Sequence, residues 1–152
     1  MYRALAIVCF ASFVACGSEP TDSVSPNAMS DGGVSVVADV SSPAWPSDPL
    51  TIESATIRGD ELQATVSYGG GCARHRVVLL ISQIFMESHP VQVHTKLAHD
   101  AGGDMCKAYL TRTITFDLTP LKRRYHASYG AGSGAIIIHL SGLARSLRYD
   151  FQ

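Results

Sequence analysis

Between Glu61 and Tyr68, the apolar residues Leu62, Ala64, Val66 and Tyr68 alternate without a break with Glu61, Gln63, Thr65 and Ser67. Only a strand sends alternate residues to opposite faces, so this run predicts a strand with one buried and one wet side. Ile52 to Ile57 precedes it across Arg58-Gly59-Asp60, which predicts a hairpin with glycine in its turn. The same pattern recurs downstream. Val91, Val93, Thr95 and Leu97 stand opposite Gln92, His94 and Lys96; Leu110, Ile114 and Phe116 stand opposite Thr111, Thr113 and Thr115, with Arg112 interrupting; Leu147, Tyr149 and Phe151 alternate with Arg148 and Asp150. Val77 to Ile81 is continuously apolar and predicts a central strand covered on both faces, and Ala135 to Leu140 is a further strand. Thr119-Pro120, followed by Leu121, Tyr125 and Tyr129 at helical spacing, predicts a short helix over 120–128 with Thr119 as its cap. About seven strands, one helix and no strand–helix alternation give the expected fold class: all-β, an antiparallel β-sandwich occupying 51–152.

The first fifty residues obey different rules. Residues 1–15 carry one early cation, Arg3, and then an unbroken run of apolar and weakly polar residues up to Cys16. That is the pattern of a secretory signal peptide, too short for the roughly 20 residues that span a bilayer. From Gly17 to Pro49 the chain is rich in Ser, Asp, Gly and Pro, with five of the seven prolines at 20, 26, 43, 46 and 49. Such a segment buries too little to offset ordering and is expected to be a flexible tether over 16–50. Val34 to Val40 is a Val-rich patch whose composition allows an edge strand without requiring one.

Phe13-Val14-Ala15-Cys16 resembles the lipobox of bacterial lipoproteins, departing from it at Phe13, where that family has Leu. The resemblance implies cleavage before Cys16 and a lipid on its thiol, with the membrane as partner and the cell envelope as location. Two or more acyl chains give stable anchoring where one gives marginal binding. Gly17, in place of Asp, implies outer-membrane placement in a two-membraned host.

Charge excludes one class of function. The chain holds 12 Lys+Arg against 13 Asp+Glu, a net −1, and its densest basic cluster is Lys122-Arg123-Arg124, read as one solvated helix turn. No basic stripe for nucleic acid is present. No Gly-x-Ser-x-Gly elbow occurs, and Gly130, Gly132 and Gly134 lead into a strand, not from strand to helix as a dinucleotide loop would. Arg58-Gly59-Asp60 spells an adhesion tripeptide, but glycine and aspartate already suit a turn.

Once Cys9 leaves with the leader and Cys16 is lipidated, Cys72 and Cys106 remain. An exported domain with one leftover pair is expected to join it in a disulfide and to need no cofactor. The competing reading converges Cys72, His75, His99 and Cys106 as a Cys2His2 set on zinc, since thiolates and imidazoles suit a tetrahedral ion. Calcium on Asp100 and Asp104 is a third reading, short of the six or more oxygens that ion takes. His89, His94, His126 and His139 read as structural or solvated.

The strings Ser67-Tyr68-Gly69-Gly70-Gly71-Cys72-Ala73-Arg74-His75, Phe85 to Val93, His99-Asp100 to Cys106 and Phe116-Asp117-Leu118-Thr119-Pro120-Leu121 resemble a set of uncharacterised bacterial envelope lipoproteins. The resemblance spans 52–151 and implies a shared fold with no activity attached. The expected function is a membrane-tethered, noncatalytic binding or structural module; the alternative is a metal-binding or metal-dependent enzyme domain at Cys72, His75, His99 and Cys106.

Overall fold

The computed structural model describes residues 32–152. The expected signal peptide, the lipidated Cys16 and the first part of the tether lie outside the described residues.

Among the described residues are eight strands and one helix: β1 (Gly32–Ala38), β2 (Thr51–Arg58), β3 (Glu61–Gly70), β4 (Arg76–Met86), β5 (Val91–Asp100), β6 (Ala108–Asp117), α1 (Thr119–Tyr129), β7 (Gly134–Leu140) and β8 (Leu147–Phe151). They form one sheet in the order β2-β3-β6-β1-β4-β5-β7-β8. This corrects the antiparallel sandwich. β1 runs parallel to both β4 and β6, and β5 runs parallel to β7. Alternation fixes which face of a strand is buried and leaves its partner and direction open, which is why the strands were legible and the architecture was not.

β1 also corrects the tether and the edge-strand reading. Gly32 and Gly33 pair with Thr115 and Phe116 of β6, and Val34 to Ala38 pair with Val78 to Ser82 of β4. One strand therefore joins β2-β3-β6 to β4-β5-β7-β8. Glycine suits that junction, because a methyl group at Gly33 would overlap the Phe116 ring. Residues 39–50 stay on the domain, with Ser47 bridging His99 and the Asp48 amide donating to the His99 carbonyl at 3.0 Å.

The inward face supplies the core. Leu62, Ala64 and Val66 of β3, Leu79 and Ile81 of β4, Val93 of β5, Phe116 of β6, Ile136 and Ile138 of β7 and Tyr149 of β8 have no accessible surface. Leu80, on the other face of β4, is buried as well, as the continuous apolar run predicts. One sheet provides nearly all of this core, with Leu121 of the helix added to it, and the sheet curls until its rims approach, giving a nearly closed, barrel-like shape. Arg145, just before β8, donates from Nη2 to the Ala55 carbonyl of β2 at 2.9 Å. Tyr149 donates its hydroxyl to Asp60 Oδ1 at 2.7 Å. Lys122 of α1 pairs with Asp60 Oδ2 at 2.9 Å, so the β2–β3 turn, the helix and β8 meet at one carboxylate.

The expected turn is present, and two other expectations change, the solvated basic face and the helix cap. The Arg58-Gly59-Asp60 turn forms, and its aspartate faces the seam, engaged by Tyr149 and Lys122. The three basic residues are not one solvated face, because Lys122 is paired and the Arg124 guanidinium lies 5.7 Å from the Phe85 ring centre. The helix starts with Leu118 as its cap, and Asp117 Oδ1 accepts from the Thr119 amide at 2.8 Å and its hydroxyl at 2.5 Å. Leu121 is the buried anchor of α1.

Candidate functional site

The residues singled out in sequence gather at one end of the barrel, where β3 and β5 finish. Cys72 and Cys106 form a disulfide with their Cα atoms 5.8 Å apart, tying the loop after β3 to the loop after β5. Beside it the Asp104 side chain is sealed from solvent. Its Oδ2 accepts from three consecutive amides, Gly71, Cys72 and Ala73, each at 2.8 Å, and Oδ1 accepts from the Cys106 amide at 2.9 Å. Successive amides converging on one point make an anion-binding concavity, here filled by the chain's own carboxylate. The Ala73 and Cys106 amides above all hold the Asp104 carboxyl well below the usual carboxylate range, against the opposing effect of its burial.

His75 and His99 extend the network inward. His75 Nε2 lies 3.1 Å from Asp104 Oδ2, its Nδ1 lies 2.9 Å from His99 Nε2, and His99 Nδ1 lies 3.1 Å from the Pro49 carbonyl. Proton accounting assigns the roles. The carbonyl and the carboxylate only accept, so the three links need three ring N–H groups, and two neutral imidazoles supply two. Every link is made when the pair holds one extra proton between His75 Nδ1 and His99 Nε2, with His75 Nε2 donating to Asp104 and His99 Nδ1 donating to Pro49. Tyr68 completes the packing, its ring stacked on His75 at 4.6 Å and tilted against His99 at 4.9 Å. A methyl group at Gly70 would overlap the junction of His75 Nε2 and Asp104 Oδ2, which explains the glycine there.

This geometry leaves no ready ligand set. Cys72, Cys106 and Asp104 bring their ligand atoms within 4.8 Å of one another, but the sulfurs are bonded to each other and are not thiolates. Both nitrogens of His75 have protein partners. Asp100 turns away, accepting from the Gly102 amide at 3.0 Å and pairing with Arg76 at 3.3 Å. The sequence placed Cys72, His75, His99, Asp104 and Cys106 together and missed Tyr68 and the 48–49 carbonyls, which carry no motif.

His139 is half-buried, and its Nε2 donates to the Gln92 side-chain oxygen at 2.6 Å. His126 Nε2 donates to the Gly132 carbonyl at 3.0 Å. No helix among the described residues is long and apolar enough to cross a membrane.

The structure is similar to those of several solved bacterial proteins. A NigD-like immunity protein from Bacteroides caccae ATCC 43185 superposes with a TM-score of 0.55 at 16% identity, over 76% of this chain and 58% of that one. A toxin-related candidate from Parabacteroides distasonis ATCC 8503 gives 0.47 at 14% identity, over 80% and 61%. A candidate lipoprotein from Bacteroides fragilis NCTC 9343 gives 0.49 at 8% identity, over 80% and 71%. The chain thus spans about three fifths of the length of the first two. At 16% identity the likeness to the immunity protein is one of fold. No family model matches the sequence, and no curated protein does.

Proposed function

We propose that this chain is a lipid-anchored, noncatalytic binding module of the bacterial cell envelope. One observation carries the noncatalytic part: the side chains of reactive type at the barrel end, Cys72, His75, His99, Asp104 and Cys106, are saturated by one another and by backbone groups. A general base or nucleophile needs a free position within reach of a substrate, and His75 and His99 have none. The anchor rests on the lipobox and places the domain outside the cytosol, where an oxidised Cys72–Cys106 pair is stable. Likeness to a protein described as an immunity protein agrees with a role exercised by binding.

Two measurements test the reading. Metabolic labelling with a fatty-acid probe marks the mature chain, and Cys16→Ala abolishes the label and releases the protein from membranes; continued membrane partition of that variant overturns the anchor. Diethyl pyrocarbonate modifies the exposed His89 and His94 of the folded full chain and spares His75 and His99. Equal rates at all four overturn the sealed cluster.

A further inference from the structure

The outer face of β5 and β7 holds a second polar group of residues, at a distance from the disulfide end in sequence and register. Parallel pairing sets His94 opposite His139, with ring centres 5.5 Å apart, and Lys96 follows on the same face of β5. The loops after β1 and β7 wall this floor, Val40 and Ser41 from one and Ser141 to Ser146 from the other, around a cleft of about 370 Å³. Among the described residues no carboxylate lines it, and the ionisable lining is His94, Lys96, His139 and Arg145. The neighbouring Asp39 is occupied, accepting from the Ser41 amide at 2.9 Å and its hydroxyl at 2.6 Å.

Lys96 is the telling residue. It is half-buried, yet the four ion pairs among the described residues join other groups, and no described side chain or carbonyl accepts from its ammonium. It stands at the border with a second cleft, of about 440 Å³, that also borders Ser141 and Gly142. The Asp48 carboxylate in that second cleft is turned to the Ala101 amide at 2.7 Å. Arg145 is fixed in the wall by its Ala55 bond and keeps its other N–H groups. A concave site with cations on its floor and low-dielectric walls concentrates anions, and its size lies within the range of small-ligand pockets. A bare inorganic anion would leave most of the volume empty, whereas Val40, Leu140 and Leu143 offer apolar contact.

We infer that this cleft binds a small organic anion, its carboxylate or phosphate group on Lys96 beside His94 and its body against Leu143 and Val40. The inference rests on the binding-module reading and names the ligand class for it. The test follows the histidine ring carbons of the full chain in detergent micelles by NMR, during titration with benzoate, phenyl phosphate and the neutral benzyl alcohol. Both anions are expected to move His94 and His139 saturably and leave His75 and His99 in place, the tighter one telling carboxylate from phosphate. Lys96→Met weakens binding at least tenfold, and Lys96→Arg restores it. Equal binding of benzyl alcohol, an unchanged affinity in Lys96→Met, or no saturable shift with either anion overturns the inference. Such a failure leaves the sealed cluster untouched, and reactive His75 and His99 would leave this cleft untouched, so the two readings fail separately.

Discussion

Replacing both Cys72 and Cys106 by alanine isolates what the disulfide contributes. The bridge closes a loop with a sequence separation of 34. The chain-entropy relation turns a loop of that length into a loss of about 13 cal/mol/K from the unfolded ensemble, about 4 kcal/mol at 25 °C. A domain of this size has a total stability of roughly 5–15 kcal/mol, so the bridge is a large share of it. At about 2 cal/mol/K per residue over roughly 120 residues, the same loss lowers the melting temperature by about 15 °C. The effect belongs to the unfolded chain, because the native loops have a second fastening: the amides of Gly71, Cys72, Ala73 and Cys106 all donate to Asp104. The double variant of the full chain should therefore keep its native circular dichroism at 20 °C while melting about 15 °C lower. A drop under about 4 °C, roughly 1 kcal/mol, would refute the loop-entropy reasoning. Loss of the β signal at 20 °C would refute the claim that Asp104 holds the loops unaided.

Asp104→Asn removes the charge on which those amides converge and sets an NH2 group against one of the donors. It should lower the melting temperature at neutral pH. A carboxyl held below its ordinary value of 3.8 stabilises the fold above that value and loses the contribution as the pH falls below it. The gap between the native chain and the variant should thus narrow from about pH 4 downward; a gap constant from pH 7 to 3 would contradict the assignment. Tyr149→Phe keeps a buried ring and deletes the hydroxyl that donates to Asp60. It should cost about 1.5 kcal/mol, the low end for a hydrogen bond to a charged group because Asp60 stays 40% exposed. The Asp60 carboxyl, held low first by Tyr149 and then by Lys122, should titrate closer to 3.8, as read from its 13C shift.

Seven of the eight strands and the helix were legible because apolar patterning marks them: Val91 to Leu97 and Leu147 to Phe151 match buried positions one for one, and Leu62 to Tyr68 departs only at Ser67, which is buried as well. β1 was not. Its glycines and serine sit in a Ser/Pro-rich stretch, and its order comes from β4 and β6, at least 38 residues further on. The site divides in the same way. Two thiols in an exported chain announce a bridge by composition alone. The part His75 and His99 play is set by which atom faces which, and the same residue types spell a zinc set equally well. His94 and His139 looked solitary on two separate strands, and only the parallel register of β5 and β7 makes them neighbours.

β1 also stands apart by its place in the chain. As the first strand of the described domain, it is made before every partner it has, and its slot does not exist until β4 and β6 are in position. Without it, those two strands would leave amides and carbonyls unpaired along the gap between them, a surface open to any extended peptide. A chain shortened to begin at Thr51, where the alternation starts, would keep every outward sign of a complete domain and lack its keystone.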